Sequence, residues 1–161
     1  MRSSSIVTIT ASLLLAVACG GGGGDKTPTG VPNPGNTTGT STMSASIDGS
    51  AWAALAVTST ITNGVRIISG SDVARSVALS FLATATGTQA ISSSSVTLAI
   101  VIIGSQSWDA NSANGATGTV TITTLTSNQI VGTFSFAAKG STTTTSPATR
   151  QITNGKFDIK F

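Results

Sequence analysis

Residues 150–161 read RQITNGKFDIKF. Phe157, Ile159 and Phe161 alternate with polar residues, which is the period-two pattern of a half-buried strand. Ile152 breaks that pattern, because its parity is opposite to that of Phe157. A bulge or tight turn at Asn154-Gly155 would restore a single apolar face, since one extra residue shifts the parity of everything after it. The segment therefore reads as a strand with one irregularity.

The same pattern continues upstream. Ile130, Phe134 and Phe136 share one parity in QIVGTFSFAAK, as do Val120 and Ile122 in GTVTITTL and Val77, Leu79 and Phe81 in SVALSFLAT. Asn63-Gly64 separates LAVTSTIT from VRIISG and is the favoured dipeptide of a two-residue hairpin. MSASID places Met43, Ala45 and Ile47 on one face before a turn at Gly49-Ser50, and Trp52 follows. SVTLAIVIIG is apolar on both parities toward its end, which predicts a central strand covered on both faces. SDVARSVAL is the only helix candidate. About eight short strands with Gly, Asn and Ser turns predict an all-β domain, an antiparallel β-sandwich or flattened barrel, over residues 43–161.

Composition narrows the chemistry. The 161 residues contain no His, Tyr or Glu, all five acidic residues are Asp, and Ser and Thr make up about a third of the chain. The formal net charge of +3 is spread thinly, without a Lys/Arg cluster to follow a phosphate backbone. Nucleic acid is therefore not an expected partner. With neither His nor Glu, the usual general bases are lacking, and no nucleophile-elbow or Ser-x-x-Lys pattern occurs. No catalytic residue, metal site or cofactor is expected. An enzyme reading would require two of Asp72, Asp109 and Asp158 to converge in a cleft.

The N-terminal segment carries an address. Arg2 precedes a 13-residue apolar run, IVTITASLLLAVA, which suits a signal-peptide core and is too short to span a bilayer. Ala16-Val17-Ala18-Cys19 then ends the apolar run, and Cys19 is the only cysteine. This tetrapeptide resembles the lipobox of bacterial lipoproteins, with Ala16 where Leu is commonest. The resemblance implies a signal peptide over residues 1–18, diacylglycerol on the Cys19 thiol, and anchorage of the mature chain in a membrane. By resemblance to the sorting rule of some diderm bacteria, Gly20 after the cysteine implies the outer membrane rather than inner-membrane retention. The alternatives are plain secretion with a leftover thiol and a retained anchor. Residues 20–42, rich in Gly, Pro and Thr, have almost nothing to bury and read as a flexible tether. The coil estimate gives them about 25–30 Å of mean reach.

The motifs SASIDGSAWAA, GTVTITTL, IVGTFSFAA and ITNGKFDIKF also look like those of a family of small bacterial lipoproteins of unknown function. That resemblance implies an all-β domain exposed beyond a membrane, and no activity.

Single residues carry weaker signals. Trp52 reads as a plug of the core, with a ligand platform as the alternative. Trp108 and Asp109 lie in the polar stretch SQSWDANSANG. An exposed Trp beside a carboxylate there is the candidate contact for a carbohydrate or protein, and a rim Trp covering the barrel mouth is the structural alternative. Asp109 with Asn111 and Asn114 offers oxygen ligands for calcium but only one carboxylate. Asp48 belongs first to a turn. Between Ser76 and Ala138 the only charge is Asp109, so the outward faces there are neutral hydroxyls and amides. The expected function is a non-catalytic, lipid-anchored module in the cell envelope that binds a protein or glycan. The alternative is a lipocalin-like carrier of a small apolar ligand, which needs a cavity of about 300 Å³ or more inside the barrel.

Overall fold

A computed structural model describes residues 40–91, 96–111, 115–140 and 149–161. They lie in the compact unit Asn33–Phe161. Cys19 and residues 20–39 of the tether fall outside the described residues, and Thr42, read as the last residue of the tether, instead begins the first strand.

Eleven strands follow in order. The first five are β1 (Thr42–Ile47), β2 (Ser50–Ala53), β3 (Ala56–Thr62), β4 (Val65–Ser71) and β5 (Arg75–Leu82). They are followed by β6 (Gly87–Ile91), β7 (Leu98–Ile103) and β8 (Gln106–Ala110). The last three are β9 (Thr117–Leu125), β10 (Gln129–Gly140) and β11 (Thr149–Lys160). All pairings are antiparallel and form one sheet in the order β2-β1-β11-β10-β8-β7-β5-β4-β3. The β9-β6 pair branches from β10. The sheet is strongly curled into a half-barrel. The all-β, antiparallel expectation holds, and the architecture is a single curled sheet rather than two stacked layers. The helix candidate is corrected: Arg75–Leu82 is strand β5, with Val77, Leu79 and Phe81 turned inward at 0–1% exposure.

The irregularity in the C-terminal stretch is a bulge. Phe134 pairs with Gly155 and Phe136 with Ile152, so Thr153 and Asn154 together oppose Ser135. Asn154 takes a left-handed backbone with φ 53°, a conformation that Asn tolerates better than most residues. The extra residue flips the parity, and both Ile152 and Phe157 are buried. Two hairpins use left-handed pairs: Asp48-Gly49 (φ 49° and 83°) joins β1 to β2, and Asn63-Gly64 (φ 51° and 78°) joins β3 to β4. Both have the two positive φ values of the turn that suits strand twist.

The concave side is filled by a floor of glycines under aromatic rings. Gly132 faces Phe157 and Gly155 faces Phe134 across β10 and β11, while Gly118 of β9 faces Phe136. A Cβ at Gly155 would lie 2.5 Å from the Phe134 ring, so the missing side chain is the space the ring occupies. The rings stack in turn: Phe81 on Phe157 at 5.7 Å, and Phe134 on Phe157 at 6.5 Å. Gly70 of β4 makes the same room for Trp52 and Met43, and Trp52 is buried as a core plug.

Where strands diverge, side chains replace the ladder. The Gln89 amide on β6 accepts from the Leu82 N–H at 3.0 Å and donates to the Leu82 carbonyl at 2.5 Å. One side chain thus acts as a strand pair between β6 and β5. Chain continuity joins the two ends of the sheet path. The Ala54 N–H bonds to Met43 of β1, and the next residue, Leu55, bonds to Ser71 of β4. β7 lies centrally, between β5 and β8, but it is covered on its inner face only. Leu98 and Ile102 are 36% and 41% exposed on the outside, which corrects the expectation of cover on both faces.

Two carboxylates, Asp72 between β4 and β5 and Asp158 on β11, are held below their ordinary value of 3.8. Asp72 is lowered first by the Ala74 N–H and further by Arg75, and Asp158 first by Lys160 and then by Gln129. A carboxyl whose folded pKa is depressed adds stability above its unfolded value and loses it as pH falls through the folded one. The midpoint of thermal unfolding is therefore expected to fall below pH ~4. In Asp72→Asn that fall should be shallower, and an unchanged slope would contradict the assignment.

Candidate functional site

The Trp108–Asp109 candidate changes character. Trp108 is not exposed in a polar loop but lies in β8, 0% exposed. The Arg150 guanidinium lies 4.5 Å over its ring. No ring face is left for a sugar, so Trp108 is corrected from ligand contact to core anchor. Asp109, partly buried on the opposite side of β8, is in register with Lys139 of β10. Arg150 connects Trp108 to the first hairpin: its Nη1 is 2.7 Å from Asp48 Oδ2, and Asp48 Oδ1 accepts from the Gln151 N–H at 2.8 Å. Asp48 thus fixes the β1–β2 turn against β11. Of the calcium candidates, Asp109 and Asn111 both have partners, and Asn114 falls outside the described residues. Asp72 and Asp158 each engage a neighbouring cation, Arg75 and Lys160. Among the described residues no three His, Cys, Asp or Glu side chains come together.

Three grooves among the described residues lie elsewhere, on the outer face of β2-β1-β11-β10-β9. A groove of about 530 Å³ is lined by Thr119, Thr133, Phe134, Ser135, Thr153, Asn154, Gly155 and Lys156. A second, of about 370 Å³, shares Asn154 and Lys156 and extends over Ser44, Ser46 and Ala51 to Trp52. A third, of about 240 Å³, shares Ser135 and Thr153 and reaches Thr117 and Gln151. The shared residues make them one shallow surface, dented where the Asn154 bulge lifts β11 from the regular pleat.

Register gives this surface its order. Ser44 is opposite Lys156, Lys156 opposite Thr133, Thr133 opposite Thr121, and Thr121 opposite Thr88. The Thr88 and Thr121 hydroxyls are 2.9 Å apart. One row of polar side chains therefore crosses five strands at the interstrand spacing of about 4.8 Å. A parallel row runs through Ser46, Thr153, Ser135 and Thr119. Lys156 is the one cation lining these grooves, and no carboxylate lines them. Such a surface can donate and accept many neutral hydrogen bonds and attract one negative charge.

Sequence reading anticipated the neutral hydroxyl faces but not this groove. The signal was present in the alternate Thr and Ser of GTVTITTL and GTFSF. Their convergence depends on the register of β9, β10 and β11, which single segments do not contain.

Residues 39–158 match the family model described as Domain of unknown function (DUF6252). No curated protein and no solved structure matches the chain.

Proposed function

The chain belongs to the DUF6252 family, and from that premise we propose that it is a non-catalytic binding module of the cell envelope whose ligand is a glycan. The observation that carries this reading is the continuous hydroxyl-lined surface centred on Ser135, Thr153, Asn154 and Lys156. Sugars present closely spaced hydroxyls, and rows of Ser and Thr about 4.8 Å apart complement them. No exposed aromatic platform lines the grooves, so binding rests on many individually modest hydrogen bonds. The carrier alternative requires an open interior, and the stacked Phe81, Phe157 and Phe134 rings weigh against it.

Lipid anchorage at Cys19 completes the reading. A lipobox-like tetrapeptide followed by a Gly-rich tether would hold the domain clear of the outer membrane, where extracellular or periplasmic glycans lie. Cys19→Ala is expected to abolish palmitate labelling and release the protein from membranes.

The ligand half is tested by screening immobilised glycans and measuring Kd for those retained. Ser135→Ala and Lys156→Ala are each expected to weaken binding about tenfold, roughly 1.4 kcal/mol, without moving the unfolding midpoint. Equal binding by both variants and the wild type would sink the placement of the site.

A further inference from the structure

The curled sheet leaves three strands with an unpaired edge among the described residues: β2, β6 and β3. An unpaired edge is a template for another strand unless it is short, charged, bulged or covered. β2 has only four residues. β6 is stitched to Leu82 by Gln89. β3 is neither short nor bulged. Its one side-chain tie among the described residues comes from its own neighbour β4, where the Arg66 guanidinium donates to the Ser59 hydroxyl at 2.9 Å. That leaves the outer main-chain edge of β3 unoccupied among the described residues. Its seven residues, AVTSTIT, contain no charge and no proline. Its pairing with β4 runs from Ala56–Ser71 to Thr62–Val65 with no shift of register. Most of β3 is exposed, and Ile61, the largest side chain on it, is 52% accessible.

The sequence of β3 also indicates what would pair with it. Read about Ser59, it is a near-palindrome. In an antiparallel pairing of two copies about a two-fold axis, Ser59 meets Ser59, Thr58 meets Thr60, Val57 meets Ile61 and Ala56 meets Thr62. Thr–Thr and β-branched apolar pairs are among the favourable cross-strand neighbours. An isologous contact requires this self-complementarity. The strand also brings no like charges face to face. The exposed Ile61 would be covered by Val57 of the second copy. A foreign peptide could make the same main-chain bonds but would have no reason to match this side-chain order.

We propose that the protein self-associates through β3, two copies joining edge to edge into one continuous sheet. The outer hydroxyl surface is built on β1, β2, β9, β10 and β11, none of which pairs with β3. The dimer would therefore carry two such surfaces and bind a repeating polymer with avidity. The self-association itself does not depend on the glycan reading.

The test uses the full chain in a Cys19→Ala background, so that no native thiol interferes. Light scattering at about 100 µM is expected to give twice the chain mass for this protein. The mass should fall to that of one chain in Thr58→Lys/Thr60→Lys, with an unchanged β circular-dichroism spectrum. Ser59→Cys is expected to form a disulfide-linked dimer under mild oxidation, and Thr88→Cys on β6 is not. A single-chain mass for the parent protein overturns the proposal. So does a dimer that survives the two lysines, or cross-linking through Thr88→Cys but not Ser59→Cys.

Discussion

Gly132→Ala is expected to lower the stability of the β domain by about 3 kcal/mol. The residue pairs with Phe157 on one side and Ile122 on the other. An added methyl would run into the Thr121 carbonyl oxygen and the Phe157 ring. The carbonyl belongs to the backbone of β9 and cannot rotate away. The ring is buried and stacked on Phe81 at 5.7 Å and Phe134 at 6.5 Å, so moving it disturbs both neighbours. The useful control is Gly49→Ala. Gly49 has φ 83° but nothing within 4 Å of a Cβ, so it incurs only the left-handed backbone cost, about 1–2 kcal/mol. Urea unfolding should shift its midpoint much further for Gly132→Ala than for Gly49→Ala, with similar slopes. Equal shifts would mean that the interior has slack and that the aromatic floor is not tightly packed.

Phe157→Ala is expected to cost about 3–5 kcal/mol. The side chain is 2% exposed and touches both neighbouring rings, so its loss leaves a cavity that the rigid strands cannot collapse into. The two predictions are coupled through the ring lying over Gly132. In a Phe157→Ala background, Gly132→Ala should cost less than it does alone, because one of its two clashes has gone. An interaction energy of about 1 kcal/mol or more is expected from the double-mutant cycle. Strict additivity would contradict the face-to-face arrangement.

The parity break between Ile152 and Phe157 was legible because a bulge changes a pattern within one strand. The Asn63-Gly64 hairpin was legible because turn chemistry is local. Trp108 was not. Its strand is short, so SQSWDA shows little alternation, and what covers the ring is Arg150 from β11, 42 positions away. The glycine–phenylalanine pairs behave likewise. GTFSF and NGKF read as strand and turn signals, and only the register of β9, β10 and β11 shows each Gly lying beneath a Phe. The Gly and Phe residues of the GTFSF and NGKF stretches thus build the interior. The candidate binding surface is formed by the less conspicuous residues between them: Thr133 and Ser135 alternate with Gly132, Phe134 and Phe136, and Lys156 lies between Gly155 and Phe157.

The proposed division of labour, core from one parity and candidate ligand surface from the other, is tested most directly by amide chemical-shift mapping of the labelled protein with the tightest glycan from the screen. Perturbations are expected to cluster at Thr133, Ser135, Thr153 and Lys156 on the outer face, with Phe81, Val101 and Ile122 unmoved. Shifts concentrated on those inward residues would instead indicate a ligand inside the barrel. That result, or a spectrum unmoved by every glycan class, would contradict the account.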